Sequence, residues 1–264
     1  MKLWIAILLG LVQGLCEFLP VSSSGHLVLL QNIFGIDEGM LFFDTMLHMG
    51  TLIAVVVVFY KQLWAMIKKP FQKKVAMLLI STAVTAVLAF AFKDAIIQSY
   101  EGALLGFGFL ATAVILLLSE LLARGNKTIE QMKPWQAAGI GLMQGVAILP
   151  GISRSGSTIA GSRFFGLKKE EAAEFSFILS IPAILGSLVM QLPDVIESGT
   201  AGIPWIAVAV GTLVAAVSGY FAIRFMLELI KRKSLIGFAI YVAALGMLVL
   251  IDQFAINAFF VRPF

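Results

Sequence analysis

Hydrophobic residues in this chain fall in long uninterrupted blocks, and polar residues collect between them. Six blocks are long and apolar enough to form membrane-crossing helices: about 41–60, 76–92, 103–122, 174–192, 204–222 and 235–251. The connections differ in charge. The 61–74 connection holds Lys61, Lys68, Lys69, Lys73 and Lys74 and no acid; the next basic group is Arg124, Lys127 and Lys133, and the third is Lys231, Arg232 and Lys233. Connections 93–102 and 193–203 share a single lysine and carry Asp94, Glu101, Asp194 and Glu197. Lysine and arginine favour the cytoplasmic side, so the basic connections are expected inside and the acidic ones outside. These assignments alternate without conflict across all six spans.

Two apolar segments remain, about 1–35 and 136–166, each broken by proline and glycine and too polar in its middle for one span. Met1 to Leu19, with Lys2 near its start, has the look of a signal peptide. No small-residue cleavage site precedes a soluble domain, so the segment is read as part of the mature fold. By the alternation, 1–35 begins and ends outside, while 136–166 begins and ends in the cytoplasm. Both are therefore expected to be re-entrant helix pairs, with irregular backbone buried in protein or lining a wet cavity. They also align. At an offset of 131 residues Leu11, Gln13, Gly14, Ser22, Ser24 and Gly25 fall on Leu142, Gln144, Gly145, Ser153, Ser155 and Gly156. The expected fold is an all-α polytopic membrane protein, one domain over 1–264. Six transmembrane helices and two re-entrant pairs form an inverted-topology repeat, with halves of about 1–132 and 133–264. Inverted repeats with broken helices put a binding site near the midplane, where the breaks meet.

Composition narrows the chemistry. With 60% hydrophobic and 13% charged residues, a water-soluble globule is excluded. Cys16 is alone, so no intramolecular disulfide and no metal–thiolate site is available, and two histidines cannot form an all-histidine metal site. The net charge of +4 lies in short loops, so it marks topology and no nucleic-acid groove is expected.

The first break runs from Gln13 through Glu17, Pro20, Ser22, Ser23, Ser24 and Gly25 to His26. Gln13 and Glu17 are four apart and share a helical face. Pro20 stops that helix, after which hydroxyls and flexible backbone N–H groups suit a phosphate. The second break, Pro150-Gly151-Ile152-Ser153-Arg154-Ser155-Gly156-Ser157-Thr158, adds four hydroxyls and an arginine, the side chain that best matches phosphate oxygens. Blander readings exist. Serine and glycine runs mark close helix packing, Gln13 can bond a neighbouring helix, and Glu17 with Arg154 can be a structural ion pair. Asp44 and His48 share a face in the outer half of a span, where interfacial solvent suffices, and Cys16 reads as buried filler. Intramembrane charges nonetheless cost roughly 2.5–3.5 kcal/mol each and usually mark function.

Together the two breaks resemble the undecaprenyl-diphosphate phosphatase family of bacitracin resistance. The E/Q-x-x-x-E pair is Gln13 and Glu17, followed by the serine turn ending at His26; P-G-x-S-R-S-x-x-T is Pro150 to Thr158. Gln13 stands where an acid is commoner. The resemblance covers essentially the whole chain and implies release of the terminal phosphate of undecaprenyl diphosphate, in the bacterial inner membrane, for carrier-lipid recycling. The implied partners are the polyprenyl diphosphate and membrane lipids, and a homodimer is compatible with the sequence.

On this reading Glu17, Ser23, His26 and Arg154 are the candidate catalytic residues, and Ser22, Ser24, Gly25, Ser153, Ser155 and Thr158 bind substrate. A lone carboxylate would repel a diphosphate, so Mg²⁺ or Ca²⁺ is expected on Glu17 with the amide oxygen of Gln13. The nucleophile is Ser23, its proton taken by His26 or Glu17, or else a metal-activated water. A transporter or flippase of a lipid phosphate is the rival reading, since inverted repeats suit alternating access. The charge pattern itself gives a test. In a Cys16→Ser background, single cysteines at Gln72 and Ser198 should react with an impermeant thiol reagent from opposite sides of the membrane; same-side labelling contradicts the topology.

Overall fold

The computed structural model describes residues 1–36, 40–93, 95–96, 102–123, 125–198, 202–256 and 258–260. Among these residues ten α-helices make up the fold. They are α1 (Leu3–Phe18), α2 (Ser23–Phe34), α3 (Met40–Lys68), α4 (Lys73–Ala91), α5 (Leu105–Leu122), α6 (Pro134–Val146), α7 (Arg154–Phe164), α8 (Lys169–Ser198), α9 (Trp205–Arg232) and α10 (Ile236–Ile251). Six of them, α3, α4, α5, α8, α9 and α10, are long and apolar enough to cross a membrane, matching the six expected spans in order. The chain is a multi-pass membrane protein.

The 61–74 connection differs from expectation. Residues through Lys68 continue α3, which departs from helical geometry at Phe59 (φ −102°, ψ 16°), next to the expected end of the span. Hydropathy registers the lysines as polar, but lysine is a good helix former and the backbone continues. The 193–203 connection is likewise helical through Ser198. Asp94, Glu101, Arg124 and the side chains of Asp194 and Glu197 lie outside the described residues.

The four helices of the two broken segments have 16, 12, 13 and 11 residues. At 1.5 Å per residue the longest reaches about 24 Å, short of the ~30 Å hydrocarbon core. α1 and α6 each bury one face by helical spacing. On α1 that face is Ile5–Ala6, Leu9–Gly10, Gln13–Gly14 and Glu17–Phe18, and it packs lengthwise on α9. A methyl added at Gly10 would strike the backbone of Gly211, and one at Gly14 would strike Ser218 and Ala215.

The second segment repeats this arrangement at the same offset of 131. Gly141 lies against Ser81 and Gly145 against Leu88, both on α4. Trp4 meets Phe34 edge-on at 5.5 Å and 89°; Trp135 meets Phe165 with the same distance and angle. Each contact closes its helix pair at the open end.

Those open ends lie apart. The α1–α2 end packs with Ile203 and Ala207, where α9 begins. The α6–α7 end lies among the basic connections: Lys127 N–H donates to Gly166 O at 2.9 Å, Lys73 Nζ to Glu130 O at 2.6 Å, and Lys169 Nζ to Lys233 O at 3.4 Å. Between the two ends, the first break touches all three apolar cores, through Phe18, Val21 and Leu27.

Close helix approach gives a direct check. Gly10→Ala should destabilise the protein by about 1–3 kcal/mol, as overpacking does, measured by thermal melting in detergent. Gly186→Ala, where nothing lies within 4 Å, should cost nothing.

Candidate active site

Proline ends α1. Leu19, the residue before Pro20, is extended (φ −75°, ψ 145°), as the proline ring requires. The chain then turns through Ser22 at φ 70° and starts α2 at Ser23. Ser22 caps that helix, its hydroxyl accepting from Gly25 N–H at 3.3 Å. Ser153 caps α7 in the same way, accepting from Gly156 N–H at 3.1 Å. Gly151, at φ 84°, crosses α5 so closely that a Cβ would meet the backbone of Leu105 and Gly108. Thr112 pins this turn: its hydroxyl donates to Gly151 O and accepts from Ser153 N–H, both at 2.8 Å.

These caps put Ser23 and Arg154, the first residues of α2 and α7, on either side of Glu17. Ser23 Oγ donates to Glu17 Oε2 at 2.5 Å, Gln13 Nε2 donates to the same oxygen at 3.0 Å, and Arg154 Nη2 pairs with Oε1. Glu17 is 7% exposed, so its charge is balanced by Arg154 in a place that water barely reaches. Two buried atoms at this centre have no partner: Gln13 Oε1 and Arg154 Nη1. The first is an acceptor for a cation or hydroxyl, the second an N–H donor for an anion. A serine bonded to a carboxylate, beside an arginine with N–H groups to spare, can attack an electrophile that carries negative oxygens.

The other expected residues divide. Ser24 lies 3.5 Å from Ser22, and Ser155 Oγ donates to Leu19 O at 3.0 Å, tying the second break to the first. Gly25 packs against the Phe109 ring and Gly151. Thr158 turns towards α8, with its hydroxyl on Arg154 O at 2.9 Å and Ser176 Oγ at 2.6 Å. His26 is not brought to Ser23: its Nδ1 bonds Ser22 O and its Nε2 bonds Tyr241 OH, each at 2.7 Å. Among the described residues no cluster of three His, Cys, Asp or Glu side chains is suited to a metal. Glu17 with the free Gln13 Oε1 gives two oxygen donors, which suits a cation whose other ligands are substrate and water oxygens.

His48 is nearer the chemistry than its sequence position suggested. Its Nε2 lies 3.9 Å from Glu17 Oε2, while Nδ1 donates to Asp44 O at 2.7 Å. Asp44 is not left to solvent, since Gln31 Nε2 reaches both its carboxylate oxygens at 3.0 and 2.9 Å. Spacing of four puts Asp44 and His48 on one face, but nothing in the sequence says which neighbour that face meets.

The sequence profile of the bacitracin resistance protein BacA matches residues 6–248. The chain belongs to the BacA family. An undecaprenyl-diphosphatase of Carboxydothermus hydrogenoformans is 46% identical over 253 residues, covering 95% of this chain and 97% of its own. Undecaprenyl-diphosphatase 4 of Bacillus cereus is 43% identical over 94% of this chain and 96% of its own. An undecaprenyl-diphosphatase of Halothermothrix orenii is 38% identical over 95% and 98%. The BacA match spans both breaks, and every residue of the Glu17 cluster lies within it.

Proposed function

We propose that this BacA-family chain hydrolyses undecaprenyl diphosphate to undecaprenyl phosphate and inorganic phosphate in the bacterial cytoplasmic membrane. The observation that carries this is Glu17 held between Ser23 Oγ and Arg154 Nη2, together with relatives named for that activity. A transporter of lipid phosphates would have no need of a serine bonded to a buried carboxylate, and the relatives' names do not favour it. The short helices and their opposite open ends support two re-entrant pairs entering from opposite faces, the second from the basic, cytoplasmic side. The Glu17 cluster is drawn from one chain, and a homodimer is compatible with it.

Ser23 Oγ forms a bond to the terminal phosphorus as the bond to the bridging oxygen breaks, and its proton passes to Glu17 Oε2. Glu17 returns that proton to the departing lipid phosphate. Water then attacks the phosphoserine; Glu17 takes its proton and hands it to Ser23 Oγ as inorganic phosphate leaves. Arg154 keeps Nη2 on Glu17, which orients the carboxylate, and offers Nη1 to the phosphoryl oxygens. Ser22 and Ser24, with the α2 and α7 N-termini, line the same space; Ser153 and Ser155 hold the second break in register. Glu17 and Gln13 Oε1 would hold Mg²⁺ or Ca²⁺, which supplies charge neutralisation for the diphosphate.

Phosphate release from undecaprenyl diphosphate by the detergent-purified protein is the primary test, and a protein that binds the lipid without releasing phosphate would refute the reading. In the same assay Arg154→Lys should lose at least roughly tenfold in turnover, because lysine cannot hold Glu17 and phosphate together; near-full activity contradicts the clamp.

Glu17→Gln should lower turnover by about 10²-fold or more and flatten the divalent-cation titration. An unchanged titration would remove Glu17 from the cation site.

A further inference from the structure

Ser22 is the only non-glycine among the described residues with positive φ, at 70°. Its place in the repeat supplies an internal control. Ser153 occupies the equivalent position, caps its helix with the same serine-to-glycine bond, and sits at a relaxed φ of −72°. Capping alone therefore does not require the left-handed turn, which L side chains rarely adopt. Something else holds Ser22 there.

What differs is the far side of the turn. His26 Nδ1 donates to Ser22 O at 2.7 Å, which leaves Nε2 as the acceptor, and Tyr241 OH donates to it at 2.7 Å. The Tyr241 ring stacks on the imidazole at 5.7 Å and 18°, and Phe109 meets it edge-on at 5.5 Å. The residues 131 positions away from His26 and Tyr241 are Ser157, in the second half, and Leu110, in the first. The relaxed serine has neither imidazole nor phenol, and the strained serine has both.

We infer that Tyr241 and His26 form a brace that imposes the Ser22 turn and so presents Ser23 Oγ to Glu17. Both are positioning residues acting through Ser22. Tyr241 fixes the tautomer and ring plane of His26, His26 pulls the Ser22 carbonyl, and the next residue is delivered to the carboxylate. With both ring nitrogens committed, His26 carries no proton for the reaction. This rests on Ser23 being the nucleophile.

The test is kinetic, on purified protein with undecaprenyl diphosphate. Tyr241→Phe should lower kcat by roughly tenfold, the loss of one part-buried hydrogen bond, with KM within about twofold. His26→Asn, which keeps a donor for Ser22 O but cannot ionise, should recover much of the activity lost in His26→Ala and keep the wild-type pH–rate profile. Adding Tyr241→Phe to His26→Asn should cost nothing more, because the phenol no longer has an imidazole to hold. Loss of the acidic limb in His26→Asn, or additive losses in the double variant, would overturn the brace. Wild-type kcat in Tyr241→Phe alongside an inactive Ser23→Ala overturns it too and leaves the nucleophile standing. An active Ser23→Ala brings down the nucleophile and the brace together.

Discussion

A carboxylate buried among apolar helices has to be met by a cation, and Glu17 meets its own from a distant stretch of the chain, in Arg154. Each charge alone would cost a few kcal/mol to hold in the bilayer, and removing one partner from such a pair costs about 3–5 kcal/mol. Much of the architecture answers this constraint. α1 ends before Pro20 and α6 ends at Val146, Ser22 and Ser153 cap the helices that follow, Thr112 pins the second break to α5, and Ser155 ties it to the first. The pair is also incomplete in a useful way. One guanidinium nitrogen and one amide oxygen stay unpartnered and buried, so the centre is neutral without being satisfied.

The internal repeat explains how one frame came to hold two kinds of chemistry. Trp4 and Trp135, Gly10 and Gly141, Ser22 and Ser153 fill equivalent roles in packing and capping. The divergence falls on the Glu17 cluster. Glu17 corresponds to Ile148, and the first residue of the restarted helix is Ser23 in one half and Arg154 in the other. The packing and capping residues recur, while the carboxylate, the serine and the guanidinium of the Glu17 cluster occur once each.

Much of this was legible in the residue order because it is local. Six apolar blocks, two proline breaks and the Gln13–Glu17 spacing each depend on neighbours a few positions away, and the helices form where those signals fall. What stayed hidden depends on how helices are rotated about their axes. His48 sits on a face that turns towards Glu17, Thr112 reaches the second break from α5, and Tyr241 reaches His26 from α10. A lone threonine or tyrosine in an apolar span carries no periodic signal of its own. Nor does hydropathy report a helix that continues through lysines, as α3 does beyond Phe59.

The exchange of partners between halves bears on how the protein is assembled. α1 packs chiefly on α9, and α6 packs on α4. As the chain leaves the ribosome, α1 therefore lacks its main packing surface until α9 has been made, and Glu17 has no counter-ion until α7 emerges. α1 is thus made well before the helix that seats it. Until then the insertion machinery or the membrane interface must shelter a short apolar helix carrying an unmatched charge.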